Sequence, residues 1–175
     1  MSSPRLQASH CFAFEHDFVG SWRCIPLCVR RKLDLIGLKL KLSHWLELSR
    51  AQRQQLVDWP DQAEALQQLR EQLQAWTRSM ADGEARPLPV AVAEPWQRPE
   101  PVPDEVERAA QQRQVALSAQ QWTELGELER FALCKLARPG HDHHNLEAAL
   151  TELLLPQAPS NGSQGHQPAT QSKIS

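Results

Sequence analysis

The sequence has few aromatic residues and no tyrosine. Aromatic residues make up 6% of the 175 positions, and glycine occurs only seven times. A core built from this composition must be mostly aliphatic, with the six tryptophans as its large side chains. No apolar run approaches the roughly 18 residues that a membrane-spanning helix requires. We therefore expect a soluble protein without a membrane span, long enough for one domain of ordinary size.

The charge balance and the cysteine content exclude further classes. A net charge of -2 and a pI of about 6.4 do not indicate a nucleic-acid-binding protein. The four cysteines, Cys11, Cys24, Cys28 and Cys134, follow no secretory-type start, so we expect reduced thiols and a cytoplasmic location. Phosphate-binding loops, dinucleotide fingerprints, zinc-protease helices and nucleophile elbows are also missing from the sequence. This lowers the expectation of an enzyme.

A segment that occurs twice is the most informative feature that is present. Residues 29–57 align without a gap on residues 106–134, at an offset of 77, with eight identities in 29 positions. The identical pairs are Val29 and Val106, Arg31 and Arg108, Leu40 and Leu117, Trp45 and Trp122, Glu47 and Glu124, Leu48 and Leu125, Arg53 and Arg130, and Leu56 and Leu133. Such spacing is typical of one packing unit used twice. Neither copy carries a catalytic pattern, which favours a scaffold.

Hydrophobic periodicity predicts a mostly α protein, a compact helical domain at residues 11–155 with two similar tryptophan-containing units. The segment between the units holds six of the 13 prolines and predicts an extended arm, which Trp96 would fix to the helical body. In chain order the predicted parts are a flexible N-terminus at 1–10, repeat units at about 24–59 and 103–138, a connecting helix at 61–82, a proline-rich connecting arm at 84–103 and a disordered tail at 156–175.

The start of the first unit carries clear local signals. Pro26 predicts the first turn of a helix that runs to about Ile36 and ends at a left-handed Gly37. The leucines that follow alternate with lysines and predict an extended connection. Those expected to point inward are Leu38, Leu40 and Leu42.

The most basic stretch of the chain is residues 22–41, which holds six cations against one acid, Asp34. A positive patch of this kind can attract and orient an acidic partner. The alternative is a solvated helix face whose long basic side chains cover apolar surface. The residues we predict to bind a partner are Arg23, Arg30, Arg31, Lys32, Lys39 and Lys41.

Two groups of residues raise the question of a metal site. Cys24 and Cys28 lie four residues apart and could bind a metal together with His10 or His16, but this is not the usual zinc spacing. Buried, unreactive thiols are the more common outcome for such cysteines. The denser cluster at 141–144, His-Asp-His-His, stands before a predicted helix and favours a loop with a capping residue. We therefore predict no metal, no cofactor and no catalytic residue.

The first carboxylates of the chain offer a further possibility for chemistry. Glu15 and Asp17 flank His16 and could support acid–base catalysis in principle. The segment also carries Phe12, Phe14 and Phe18 in alternation with these polar residues. This pattern favours a segment that its phenylalanines anchor to the core.

Several blocks of sequence are specific in combination. They are Phe14-Glu15-His16-Asp17-Phe18, Trp22-Arg23-Cys24-Ile25-Pro26, Val29-Arg30-Arg31-Lys32-Leu33-Asp34, Gly37-Leu38-Lys39-Leu40-Lys41-Leu42-Ser43-His44-Trp45, Trp122 with Leu125, Arg130-Phe131-Ala132-Leu133-Cys134-Lys135-Leu136, and Arg138-Pro139-Gly140-His141 with Asn145. Together they resemble the nitrate reductase-associated protein family of cyanobacteria, over roughly residues 12–154. One departure is Gly126-Glu127-Leu128-Glu129, where family members often have Ser or Thr followed by Pro-Leu-Gln.

The resemblance implies a small accessory protein required for assimilatory nitrate reductase, a ferredoxin-dependent molybdenum and iron–sulfur enzyme. It also implies the cytoplasm of a photosynthetic bacterium, and it supplies no catalytic residue. We therefore predict a non-enzymatic accessory or maturation protein that binds the reductase. One alternative is a metal or cofactor carrier that uses Cys24, Cys28 and the histidines near 143. The other is a small helix-turn-helix-like nucleic-acid-binding regulator, which the acidic pI disfavours.

Overall fold

The fold is mostly α, as predicted, in the residues that the computed structural model describes, 4–140 and 144–155. The helices are α1 Pro4–Ser9, α2 His16–Val19, α3 Leu27–Ile36, α4 Leu42–Glu47, α5 Arg50–Asp58, α6 Ala63–Thr77, α7 Asp104–Gln112, α8 Ala119–Glu124, α9 Glu127–Leu136 and α10 His144–Leu154. Strand β1, Leu38–Lys39, pairs antiparallel with β2, Arg86–Pro87. Among the described helices, none combines the length and the hydrophobicity needed to cross a bilayer.

The two sequence repeats adopt the same succession of helices. Shifting the bounds of α3, α4 and α5 by 77 gives 104–113, 119–124 and 127–135, against 104–112, 119–124 and 127–136 for α7, α8 and α9. The turn after the first helix repeats as well, because Gly37 and Gln114 are both left-handed, with φ of 63° and 58°. The repeat in sequence is therefore also a repeat of local structure. We call α3–α5 the first unit and α7–α9 the second unit.

Both units are held together by the same pair of residue types. Trp45 and Trp122 are each 0% exposed. In each unit the repeated arginine reaches back from the third helix to the end of the second. Arg53 Nε donates to the carbonyl of Trp45 at 2.8 Å, and Arg130 Nη1 donates to the carbonyl of Leu125 at 2.7 Å. The last carbonyls of a helix have no partner within it, so these guanidinium groups satisfy them.

Helix α9 connects the cores of the two units. Its residues Leu128, Phe131 and Ala132 pack with α3, α5 and α6 in the first core, whereas Leu133 packs with α7, α8 and α10 in the second. The proline-rich arm is fixed to the same helix. Trp96 is 3% exposed, its ring meets Phe131 edge-on at 5.0 Å, and its carbonyl accepts a hydrogen bond from Arg130 Nε at 3.0 Å.

Several local expectations need correction. Residues 1–10 contain helix α1 from Pro4 to Ser9, and their flexibility stays a prediction. Leu38 and Leu40 are buried as expected, but Leu42 is 50% exposed because it begins α4 and does not continue the extended segment. The connecting helix α6 ends at Thr77, since the Thr77 hydroxyl donates to Leu73 and accepts from the amide of Ala85, which returns the chain. Residues 141–143 and the predicted tail at 156–175 lie outside the described residues.

Candidate docking groove

Arg31 is used inside the fold. It is 8% exposed, and its guanidinium forms ion pairs with Asp61 at 2.9 Å and with Glu127 at 2.7 Å. Asp61 follows α5 and Glu127 begins α9, so one side chain ties the first unit to the second. Its predicted role in partner binding is therefore replaced by a structural one.

Lys32 is likewise unavailable to a partner, because it is 0% exposed. Its ammonium group donates to three carbonyls at the end of α5, at 2.8, 2.8 and 2.9 Å, those of Leu56, Val57 and Trp59. A buried cation needs such acceptors, and a helix C-terminus provides them. Burial lowers the pKa of Lys32 to about 8. A basic run in the sequence does not distinguish such a cation from an exposed one.

The remaining cations of the predicted set lie on the surface. Arg23, Arg30 and Lys39 are exposed. Lys41 pairs with Asp82 at 3.0 Å at the turn after α6. The Ser43 hydroxyl and Lys41 together hold the pKa of Asp82 below its usual value. For these four residues a role in partner binding stays a prediction.

A depression in the surface runs between α3, strand β1 and the end of α9. Its outer part has a volume of about 460 Å³ and is lined by Asp34, Lys39, Leu88 and Arg138, among others. An adjoining part, which we call the inner chamber, has a volume of about 280 Å³. The apolar side chains of Phe14, Ile25, Leu27 and Leu136 line it beside Glu15 and Asn145. The residues that line both parts are Cys24, Ile25, Arg30 and Lys135. We call the outer part and the inner chamber together the groove.

The groove contains two cations that the sequence analysis missed, Lys135 and Arg138. They lie about 100 residues from Arg30 along the chain, and the contact of α9 with α3 brings them to the same surface. Lys135 pairs with Asp34 at 2.8 Å, and its ammonium lies 5.1 Å from the centre of the Phe131 ring. Arg138 is exposed and has no ion pair with a described residue.

The cations of the groove are not among the residues that the two repeats share. Each of these four cations corresponds, at the offset of 77, to a residue without positive charge. The corresponding pairs are Arg30 and Glu107, Lys39 and Ala116, Lys135 and Asp58, and Arg138 and Asp61. The shared Arg53 and Arg130 hold helices together, whereas the groove cations stand at positions where the two halves of the alignment differ.

A buried carboxylate positions one wall of the inner chamber. Glu15 is 1% exposed and accepts hydrogen bonds from the amide of Phe12 at 3.0 Å and from that of Leu27 at 2.8 Å. It thereby fixes the segment that carries Phe14 against the start of α3. Burial raises the pKa of the Glu15 carboxyl above its usual value, against the opposing effect of the two amides. Glu15 therefore has a structural role. Phe12 packs in the core, as the anchoring pattern predicts.

The cysteines are free thiols, and Cys11 and Cys28 lie in contact with each other. Cys28 lies in α3 and is fully buried, whereas Cys24 stands before the helix, half-buried at the groove. A hydrogen bond with Cys28 lowers the pKa of Cys11 and raises that of Cys28. Burial raises the pKa of Cys134 to about 12. Within residues 4–140 and 144–155, no three His, Cys, Asp or Glu side chains converge as metal ligands would.

A second cleft, of about 530 Å³, lies beside α8 and α10. Its carboxylates are already engaged in the fold. Glu152 accepts from the amides of Ala13 and Phe14, and Glu129 accepts from the amide of Gly126. These hydrogen bonds give Glu129 and Glu152 a role in the fold.

Comparisons with known proteins return one family. A family model described as conserved nitrate reductase-associated protein matches residues 11–153, which include both units and every residue of the groove. No curated protein and no solved structure matches the chain.

Proposed function

Since this chain belongs to the family of conserved nitrate reductase-associated proteins, we propose that it is a non-enzymatic accessory protein of assimilatory nitrate reductase. In this role it binds the ferredoxin-dependent molybdenum enzyme in the cytoplasm, either mature or during maturation. The groove is its contact surface. The observation that carries the proposal is the convergence of Arg30, Lys39 and Arg138 on one surface, where none of them forms an ion pair with a described residue.

Unpaired surface cations are suited to capture of an acidic protein. They raise the association rate through long-range attraction, which salt screens over a Debye length of about 8 Å at physiological ionic strength. The chain as a whole carries a net charge of -2, so the attraction is local to the groove. The attraction for an acidic partner therefore depends on the cations of the groove and not on the charge of the whole chain.

Binding alone is sufficient for an accessory function. A protein that binds only the folded reductase, or only its cofactor-free form, stabilises that form by mass action. At a concentration 100 times the dissociation constant the gain is about 2.7 kcal/mol. Protection of this size changes how much of a marginally stable enzyme stays folded in the cell.

The test uses a strain that lacks the gene for this chain. We expect reductase activity in extracts to fall in that strain and to return with the wild-type chain. The double variant Lys39→Glu/Arg138→Glu should fold normally, since both side chains are exposed, but should neither co-purify with the reductase nor restore activity. Its matched control is Arg50→Glu/Arg108→Glu, which makes the same charge change at exposed positions outside the groove.

The possible results separate cleanly. Restoration by the control and failure of the groove variant support the proposal. Unchanged reductase activity in the deletion strain would contradict the accessory role itself. Full restoration by the groove variant would keep the accessory role and remove the groove from it.

A further inference from the structure

The groove places a cationic surface next to an apolar one, and a single ligand can contact both. Its outer part is cationic, with Lys39 and Arg138 at its edge. Its inner chamber offers an apolar face, with the half-buried Phe14 and Leu136, beside the polar Glu15 and Asn145. Arg30 lines both parts, so a ligand that spans them passes its guanidinium group.

Arg30 is held in place for such a ligand. Its Nε donates to the carbonyl of Ile25 at 3.0 Å, which fixes the guanidinium at the boundary between the two parts. Its two terminal amino groups take no hydrogen bond or ion pair with a described residue, so they are available for a carboxylate. Arginine binds carboxylates through two parallel hydrogen bonds, and this gives direction as well as attraction.

Exposed leucines extend the apolar surface beyond the chamber. Leu42 is 50% exposed and Leu88 is 46% exposed, and both line the outer part. Scattered leucines on a surface are ordinary. Here two of them lie in one concave site, beside cations without ion-pair partners, which marks the surface of an interaction site.

Resting on the proposed function, we infer that the groove binds an acidic segment of nitrate reductase that places one apolar side chain in the inner chamber. Carboxylates of the segment pair with Arg30, Lys39 and Arg138. The apolar side chain supplies the centre of the interface, where a few buried contacts carry most of the binding energy. The cations supply its charged edge, which controls the association rate and the response to salt.

The charges that line the groove favour an acidic ligand. The lining holds four cations, Arg30, Lys39, Lys135 and Arg138, against Asp34 and the buried Glu15. Asp34 is already paired with Lys135, so Arg30, Lys39 and Arg138 remain without an ion pair among the described residues. The buried Glu15 carboxyl interacts with Arg30 electrostatically but does not contact it as an ion pair. A neutral or basic segment would remove these cations from water without compensation.

The experiment measures binding of the full-length chain to purified nitrate reductase over a range of salt concentrations. The outer part is altered by Lys39→Glu/Arg138→Glu. We expect this variant to bind at least tenfold more weakly at low salt and to show a smaller salt dependence than the wild type. The Arg50→Glu/Arg108→Glu chain should bind as the wild type does.

The chamber is altered without any change of charge. Leu136→Trp fills it from α9, and Cys24→Phe fills it from the opposite segment, in case the first variant does not fold. Circular dichroism and thermal unfolding establish which variants are intact. An intact chamber variant should bind about tenfold more weakly at every salt concentration, with the salt dependence of the wild type, because the lost contact is apolar and acts mainly on dissociation.

Each outcome supports or overturns the inference. Loss of affinity with both kinds of variant supports it. Loss with the charge variant alone shows that no apolar side chain enters the chamber, and the proposed function stands. Wild-type binding by every variant places the contact elsewhere. A self-associating chain that the charge variant makes monomeric would make the groove a contact between copies, against the inference. If the wild-type chain does not bind the reductase, the proposed function fails and the inference fails with it.

Discussion

The two units share their helices and their tryptophans but differ in their interiors. In the first unit the buried polar side chains are Arg31, Lys32 and His44, whereas in the second the described residues include only Arg130. The position that corresponds to Lys32 is Ala109, and Arg108, which corresponds to Arg31, is exposed. The second unit therefore has the same succession of helices with fewer buried polar side chains among its described residues.

The polar interior of the first unit connects it to distant parts of the chain. Arg31 reaches Asp61 and Glu127, as described above. His44 accepts a hydrogen bond from the amide of Lys41 at Nδ1, so its Nε2 carries the proton and donates to the carbonyl of Gly83 at 2.8 Å. The comparison separates two kinds of residue: the shared tryptophans, with Arg53 and Arg130, hold the helices of each unit together. Arg31 and His44 instead join the first unit to the rest of the molecule, through partners outside it.

The largest effects should come from the shared tryptophans. Trp45→Ala and Trp122→Ala each remove a fully buried ring, and each should lower the free energy of unfolding by about 3–5 kcal/mol. Substitution of the same tryptophans by phenylalanine should have unequal effects on stability in the two units. Trp45 Nε1 donates to the carbonyl of Trp22 at 2.9 Å, while Trp122 Nε1 has no partner among the described residues. In a denaturant titration, Trp45→Phe should lower the free energy of unfolding by about 1 kcal/mol more than Trp122→Phe does. Equal costs would show that this hydrogen bond does not distinguish the units.

Gly37 and Gln114 hold corresponding left-handed positions after the first helix of each unit, so a substitution at each position tests the same turn. Gly37→Ala should cost about 2–4 kcal/mol, since it adds left-handed strain and its Cβ would lie 2.4 Å from the carbonyl oxygen of Leu88. Gln114→Gly should instead stabilise by about 0.5–1 kcal/mol, because it removes that strain at an exposed position. Thermal unfolding measures both. A destabilised Gln114→Gly variant would mean that the Gln114 side chain has a role that its position in the turn does not explain.

The repeated arginine near the start of each unit should matter in one unit only. Arg31→Met leaves Asp61 and Glu127, both partly exposed, without their partner, and should cost about 1–3 kcal/mol. Arg108→Met at the corresponding exposed position should change stability by less than about 0.5 kcal/mol. Chemical unfolding of the two variants in parallel checks this. Similar costs would indicate that Arg108 has a structural contact in solution.

A smaller effect concerns pH. Burial raises the pKa of Glu15 in the folded state above its unfolded value, so the folded state holds more protons between those two values. The contribution of Glu15 to stability should therefore increase as pH falls through this interval and be lost as pH rises through the folded pKa. The measurement is the difference in unfolding free energy between the wild type and Glu15→Gln at several pH values. A difference that grows with rising pH would mean that the amides of Phe12 and Leu27 outweigh burial.

The helices could be predicted from the sequence because their limits are set locally. Pro26 begins α3 and Gly37 ends it, and both signals act within a few residues. The repeat predicted α7–α9 at the same spacing. Burial of Lys32 could not be predicted, since its acceptors are backbone carbonyls at the end of α5, which carry no signal in the sequence. The groove was missed for a related reason: half of its cations belong to α9 and the turn after it, and only tertiary packing brings them to α3.

The most direct test of the account is hydrogen–deuterium exchange on the chain, with and without purified nitrate reductase. We expect binding to slow exchange at residues 24–42 and 134–138, which carry most of the lining residues of the groove, and to leave α7 and α8 of the second unit unchanged. Protection at α7 and α8 with none at the groove would contradict the claim that the residues particular to the groove, and not the shared framework, form the contact.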